Sequence, residues 1–358
     1  MNDLTILLTL KGRKKFTKRW LDWMVEEDCP YKILIADGDA DKSFTQGLLK
    51  NPNYKNLDID YIDYPEDTNI RTFIRKFRNA ISLIKTKYAI YADNDDFILI
   101  NNLKKALIFF ESNSEIETLA LPHYRFSINN GSTNTDSNLY SDGKELEFQA
   151  LRYIENKKIF SDNLLLRLKE SIRIFPSDYF VYAIHKTKNF EAFMQETVKY
   201  PIDYIFFWER HFTYSVGIVG NISSAKELDP FLVRQEDTSM LASSLIDKER
   251  LIKIRFSSAW KRQYPKFVNG LYNVSREYKE MSNGVFKFYF RIHFGINLYL
   301  RIIQGLVGQL TRKFKLVYSS LSKFILWRLG KSRHNLDNKV IDKNVDLARL
   351  KFFLNKKN

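Results

Sequence analysis

The sequence predicts an α/β protein: a mostly parallel sheet with helices on both faces, followed by basic amphipathic helices at the C-terminal end. Three observations carry that expectation. Short apolar runs rich in β-formers recur at Leu4–Thr9, Lys32–Ala36 and Tyr88–Ala92, and stretches with apolar residues three and four apart lie between them, so strands alternate with helices. Two of the runs end directly in acids, Asp37 and Asp93, at the strand ends where open α/β sheets gather their functional groups. The positive charge is concentrated in one part of the chain.

Taken in order, Leu4–Thr9 is a first strand, followed by the polar turn Lys11-Gly12-Arg13-Lys14 and a helix through Phe16, Trp20, Trp23 and Met24. Lys32–Ala36 is a second strand, ending at Asp37-Gly38-Asp39, and Ile59–Ile62 is a candidate third before Pro65. A helix over about 70–84 places Phe73, Ile74, Phe77, Ala80, Ile81 and Ile84 on one face. The strand Tyr88–Ala92 then runs into Asp93-Asn94-Asp95-Asp96. Asp93 and Asp95 are hard oxygen donors on a chain leaving its strand, so a turn can bring both onto one Mg²⁺ or Mn²⁺ that also holds a diphosphate. A solvated acidic turn is the competing reading of this short pattern.

Length, cysteine use and charge narrow the class. At 358 residues the chain holds one large or two medium domains with a full core. The single cysteine, Cys29, excludes a disulfide framework and Cys-rich zinc sites, and fits a reducing compartment. No secretion signal is read at Met1-Asn2-Asp3-Leu4, and no run of about 18 apolar residues suggests a membrane span. The net charge is +15, and between Met281 and Asn335 there are ten Lys or Arg and no Asp or Glu. The positive field therefore belongs to a C-terminal module.

Thr5–Thr9, Lys32–Asp37-Gly38, Lys76-Phe77-Arg78-Asn79-Ala80 and Tyr88–Phe97, in that order, resemble the nucleotide-sugar half of family-2-like glycosyltransferases with the Rossmann-like GT-A fold, of the bacterial cell-surface polysaccharide type. The resemblance covers about residues 4–100 well and 175–240 loosely. It implies that the first strand, through Thr9, and Asp37 hold the nucleoside, with Asp37 accepting a hydrogen bond from the base. It further implies that Arg78 and Asn79 lie near the diphosphate, that Asp95 is the main metal ligand, and that Asp93 sits closer to the ribose. The turn Lys11-Gly12-Arg13-Lys14 departs from the shorter turn of many relatives.

Sugar transfer from a diphosphate also needs a carboxylate to take the acceptor's proton if configuration inverts. Candidates lie in the segment Asp203–His211. Glu209, among Phe206, Phe207 and Trp208, is the first choice because low polarity raises a carboxyl toward a useful base, with an ion pair to Arg210 or another surface charge as its competing reading, and Asp203 is the second. His211 is a candidate third metal ligand or a structural histidine. Tyr179, Tyr182 and His185 are candidates for an acceptor groove, and the alternation Tyr179, Val181, Ala183 suggests a strand. The polar run 127–138 reads as a loop. Arg234 follows the apolar Phe231-Leu232-Val233 and resembles the strand end that closes such sites, facing the diphosphate or a surface acid.

In the C-terminal module, Ile303, Val307, Leu310, Phe314, Val317, Leu321 and Phe324 alternate at spacings of four and three, with a basic opposite side. This predicts an amphipathic helix on an anionic bilayer surface, with a homodimer seam as the alternative.

The domain reading is a glycosyltransferase domain at 1–245 (1–100 for the nucleotide-sugar half, 101–245 for the acceptor half), a basic helical module at 246–335 and a polar tail at 336–358. The expected function is metal-dependent transfer of a sugar from a nucleotide donor to a glycan or lipid-linked glycan, on the inner face of the cytoplasmic membrane. Nucleotidyl or sugar-phosphate transfer on the same fold is the alternative. Nucleic-acid binding through the basic tail has no zinc knuckle, helix-turn-helix or ribonucleoprotein motif behind it.

Overall fold

A computed structural model of the chain describes residues 3–128, 139–141, 146–153, 159–173, 178–225, 227–235, 255–279, 281–313, 331–335, 341 and 344–355. Its main sheet begins with β1 (Leu4–Leu10), whose residues are all buried. α1 (Lys14–Glu26) returns the chain to β2 (Lys32–Asp37), and α2 (Ser43–Leu49) with a 3-10 turn leads to β3 (Ile59–Asp63). α3 (Ile70–Ser82) then crosses to β4 (Tyr88–Ala92). Its start is fixed by Asn69, whose side chain accepts from the Arg71 and Thr72 amides in a capping box.

β5 (Phe97–Ile98) and α4 (Ile100–Ser112) follow, then β6 (Ile116–Leu119), β7 (Tyr124–Ile128), β8 (Leu146–Tyr153) and α5 (Leu164–Arg173). The chain continues with α6 (Asp178–Val181), β9 (Ile184–Lys186), α7 (Thr187–Lys199), α8 (Ile205–Val219), β10 (Asn221–Ser223) and β11 (Leu232–Gln235). α9 (Ser258–Tyr278), α10 (Asn283–Lys313), β12 (Lys331–Asn335) and α11 (Val345–Asn355) complete the described chain.

The seven-stranded sheet has the order β10-β6-β9-β4-β1-β2-β3, with β4, β1, β2 and β3 parallel and β9 antiparallel to its two neighbours. The α/β class with a mostly parallel sheet therefore holds as read. From β1 the chain moves to β2 and β3, then jumps back across β1 to β4. Right-handed crossovers in these opposite directions put α1 and α3 on opposite faces. The reversal makes the C-terminal ends of β1 and β4 a topological switch point, the crevice in which such sheets bind ligands. A second sheet, ordered β12-β8-β7-β11-β5, starts only four residues after β4. Residues 93–96 thus bridge the two sheets.

Three local expectations change. The alternation at Tyr179–Ala183 is not a strand, because Asp178–Val181 is a helical turn and β9 begins at Ile184. The segment read as a polar tail carries α11, whose Leu347, Leu350, Phe353 and Leu354 are buried; Phe353 packs its ring against Trp23 and Phe97 of the N-terminal half. The basic module also contributes a strand, since β12 pairs with β8. Of the apolar line predicted for the C-terminal helix, Ile303 is exposed on α10, and the side chains of the other six lie outside the described residues. Among the described residues no helix is long and apolar enough to cross a membrane.

Candidate active site

The turn after β4 brings Asp93, Asp95 and Asp96 together, with one carboxylate oxygen from each within 4.8 Å of the others. Asp95 and Asp96 are buried. Three desolvated like charges repel, and the carboxyls respond: burial and the neighbouring Asp95 charge raise Asp93, and burial pushes Asp96 up to about 8 against the opposing pull of Arg234. An all-oxygen donor set under such repulsion fits a hard divalent cation.

Each acid is held by a different part of the fold. Asp93 accepts the Tyr91 hydroxyl on one oxygen and the Tyr182 hydroxyl on the other; the two rings lie 5.3 Å apart, and Thr9 Oγ1 is 3.1 Å from the Tyr91 hydroxyl. Asp96 accepts from Arg234 Nε at 3.0 Å and from the Gln235 amide at 3.3 Å. Arg234 also donates to the Tyr182 hydroxyl at 3.2 Å and covers that ring at 4.4 Å. Asp95 pairs with Arg13, while its carbonyl accepts from Arg19 at 3.2 Å. Arg19 is buried between the Phe16 and Phe97 rings, 4.6 Å from each centroid. Asn94 Nδ2 donates to Thr17 Oγ1 at 3.0 Å, tying the acidic turn to α1.

At the neighbouring strand end Asp37 is fully buried. One oxygen accepts from the Asp39 amide at 2.9 Å and the other from the Tyr61 hydroxyl at 3.1 Å, so the side chain shapes the Gly38–Asp39 turn from below. Gly38 closes over a buried ion pair: Lys76 Nζ lies 2.5 Å from Asp67 Oδ2 and donates to the Leu10 carbonyl at 2.8 Å. A Cβ on Gly38 would lie 2.5 Å from that same carboxylate oxygen. Lys76 is therefore the α3 cation that reaches the strand ends. Arg78 and Asn79 sit two turns and more beyond the helix start, half-buried and exposed, because α3 runs antiparallel to β4 and only its first turns face the switch point.

The base candidates lie at the start of α8. Asp203 is exposed, paired with Arg71 of the first turn of α3 and with Gln263 Nε2 at 2.8 Å; the Arg71 guanidinium holds its carboxyl below the usual range. Within α8, only Ile205 and Glu209, one turn apart, are not fully buried, so the helix meets solvent on the face that carries Glu209. An aromatic chain links this point to the acids: Trp208 lies 5.9 Å from Phe77, and Phe77 lies 5.1 Å from Tyr91.

His211 is not among the converging ligands. It faces the opposite way, into the packing of α8 on α9, where a Cβ at Gly270 would meet its Nε2 at 2.7 Å, and burial holds its imidazole down at about 3. His185 is likewise structural, with Nε2 2.7 Å from the Phe180 carbonyl and Nδ1 3.0 Å from Thr118 Oγ1. The side chain of Tyr179 lies outside the described residues. Sequence reasoning missed the roles of Arg13, Arg19 and Tyr91, and assigned Tyr182 to the acceptor. The only local signal was the unusual Lys11–Lys14 turn.

No protein-family model matches the chain, and no curated protein matches it. Among solved structures, the chain is similar to S. aureus TarS 1-349 in complex with UDP-GlcNAc, at 12% identity over 86% of this chain and 92% of that one, with a TM-score of 0.43. It is similar to the mannosyltransferase PcManGT from Pyrobaculum calidifontis in complex with GDP-Man and Mn²⁺, at 10% identity over 85% and 87%, with a TM-score of 0.43. HddC from Yersinia pseudotuberculosis aligns over 35% of this chain and 59% of its own, at 18% identity and a TM-score of 0.26. Likenesses at these TM-scores carry no argument about the chemistry of this chain.

Proposed function

We propose that the chain is a glycosyltransferase that takes a sugar from a nucleotide diphosphate and passes it to the hydroxyl of a glycan or lipid-linked glycan. The observation behind this reading is the convergence of Asp93, Asp95 and Asp96 at the switch point of the sheet. Asp95, with Asp96 and Asp93 beside it, would hold Mn²⁺ or Mg²⁺. Such a cation, when bound, neutralises the charge that develops on a departing diphosphate. The remaining roles belong to the chain. Thr9, Tyr91 and Tyr182 orient Asp93, Arg234 fixes Asp96, and Asp37 with the Lys76–Asp67 pair shapes the turn at the end of β2. Glu209 is the preferred base for an inverting transfer because it lies at the solvent-facing part of α8, with Arg210 at 3.6 Å, whereas the closer contacts of Arg71 and Gln263 make Asp203 a weaker base.

The acceptor is proposed to be held at a membrane surface by α10. Phe286, Phe290, Phe294 and Leu298 bury one side of this helix, while Val285, Phe288, Ile292, Ile296, Leu300 and Ile303 are 40 to 70 % exposed on another. The helix carries Lys287, Arg291, Arg301, Arg312 and Lys313 and no acid. An exposed apolar stripe on an acid-free cationic helix is complementary to an anionic bilayer.

The test is a thermal-shift screen of nucleoside diphosphates and nucleotide sugars, each with Mn²⁺ and with EDTA, because a ligand that binds only the folded state raises its stability. A metal-dependent shift from one nucleotide family, absent in Asp95→Asn, is expected. Turnover should release nucleoside diphosphate; pyrophosphate or nucleoside monophosphate would move the reaction to nucleotidyl or sugar-phosphate transfer. A folded protein with no shift from any nucleotide would overturn the reading.

A further inference from the structure

We propose that Arg13 is an internal stand-in for the metal: its guanidinium occupies Asp95 when no donor is bound and must leave before a divalent cation enters, so that cation and nucleotide bind together. This rests on the donor-site reading above. The turn that carries Arg13 begins at the end of β1, on the other side of the switch point from the acids. Its backbone is held from several directions. Gly12 and Arg13 both have positive φ, 68° and 56°, a conformation uncommon for a residue with a side chain. The Gly12 amide donates to Asp39 Oδ2 at 3.0 Å, Asn94 Nδ2 lies 3.4 Å and 3.3 Å from the Gly12 and Arg13 carbonyls, and Lys11 donates to the Asp67 carbonyl. The Phe16 and Thr17 amides also donate to the Arg13 carbonyl, at 2.9 Å and 3.2 Å.

With the backbone fixed on both flanks, the part of Arg13 that can move is its side chain. The Phe16 ring, 5.9 Å from the guanidinium carbon, lies beside its path. The backbone of Asp95 is held as well, since Arg19 donates to its carbonyl at 3.2 Å. A guanidinium and a divalent cation compete for the same carboxylate, and a vacated Arg13 needs another anion. The diphosphate of a donor supplies one, and a planar guanidinium matches phosphate oxygens in fork geometry. Arg234 is not the displaceable cation, because its acid, Asp96, is more deeply buried than Asp95 and Arg234 is also bonded to and stacked on Tyr182.

The coupling is reciprocal. If Arg13 leaves Asp95 about one tenth of the time, the apparent affinity for the metal alone falls about tenfold. The experiment is titration of Mn²⁺ followed by the paramagnetic resonance signal of the free ion, without and with a nucleoside diphosphate, for the full chain and for Arg13→Asn, Arg13→Gln and Asp95→Asn. Asparagine tolerates the positive-φ position and is too short to reach Asp95; circular dichroism confirms that each variant is folded. The expected result is Mn²⁺ binding about tenfold tighter in both Arg13 variants without nucleotide, and a nucleotide enhancement in the unaltered protein that largely disappears in them. If the Arg13 variants bind Mn²⁺ no more tightly while Asp95→Asn abolishes binding, the stand-in role is wrong and the metal site survives. If Asp95→Asn binds Mn²⁺ as the unaltered protein does, the metal site itself falls.

Discussion

His185 sets a measurable limit on the acid stability of the fold beside the site. It lies three residues after Tyr182, fully buried, with Nε2–H donating to the Phe180 carbonyl and Nδ1 accepting from Thr118. Burial holds its imidazole at about 3, against about 6.5 in an unfolded chain. The folded pKa is depressed, so the stabilisation is complete above about pH 6.5 and is lost as pH falls toward 3. Between pH 7 and 5 the unfolded imidazole gains a proton that the folded one refuses, which amounts to about 2 kcal/mol. His211 has the same burial and the same depressed value, so the pair removes about 4 kcal/mol of a total that is usually 5–15 kcal/mol. The assay is urea unfolding at pH 7 and pH 5 for the unaltered protein and His185→Gln, whose amide keeps a donor near the Phe180 carbonyl. Whatever the variant costs at pH 7, its deficit should shrink by about 2 kcal/mol at pH 5. Parallel behaviour of the two proteins at both pH values would refute the reasoning.

Three further outcomes are expected. Glu209→Gln should lower turnover by about 100-fold or more while keeping the nucleotide-induced thermal shift; Asp203→Asn, which breaks a largely exposed pair with Arg71, should cost under about 1 kcal/mol of stability and leave turnover within a few-fold, and the reverse pattern would move the base to Asp203. Gly217→Ala should destabilise by about 1–3 kcal/mol in denaturant titration despite alanine's better helix propensity, because its Cβ would lie 1.8 Å from Ser171 Oγ and 3.2 Å from the Arg167 carbonyl where α5 crosses α8; an unchanged or raised midpoint would contradict the close approach. The double substitution Phe288→Asp and Ile296→Asp should reduce co-sedimentation with anionic vesicles at least about tenfold, since each buried apolar side chain contributes roughly 1.5–3 kcal/mol. Unchanged vesicle binding, with a dimer that dissociates on substitution, would assign the stripe to a second copy.

What was legible in the sequence was what is local. Leu4–Thr9, Lys32–Ala36 and Tyr88–Ala92 carry their strand character in five or six consecutive residues, and the acids that follow β4 are adjacent in the chain, so both fold class and acidic turn were readable without partners. The helix read over about 70–84 announced itself by spacing and is observed over Ile70–Ser82, whereas its Asn69 cap was not read. The clamp on Asp93 was not readable, because Tyr182 reaches Asp93, 89 residues away, only when β9 inserts beside β4. The Arg13–Asp95 pair spans 82 residues and depends on two consecutive left-handed positions that no composition signals. His211 was left between metal ligand and structural histidine because residue type alone cannot say which face of α8 it occupies. The tail was misread for a different reason: Leu347, Leu350, Phe353 and Leu354 have helical spacing, but the polar flank around them outweighed it.

The same long-range partnering explains why so much of the molecule converges on four residues. The acidic turn joins the two sheets, so its shape is set by whatever fixes β5 relative to β4. Trp23 does this directly, donating from Nε1 to the Ile98 carbonyl at 2.8 Å, and Phe353 of α11 packs its ring on both Trp23 and Phe97. Glu27, buried at the end of α1, accepts from the Ile100 amide at 3.0 Å and pairs with Arg349 at 3.1 Å. A helix more than 240 residues downstream thus braces the strand that follows the acids. The side-chain charges of the three acids are partly offset by two cations, Arg13 from the first turn and Arg234 from β11. Charge compensation thus reaches the acidic turn from two distant elements, while burial of Asp96 favours its protonated form.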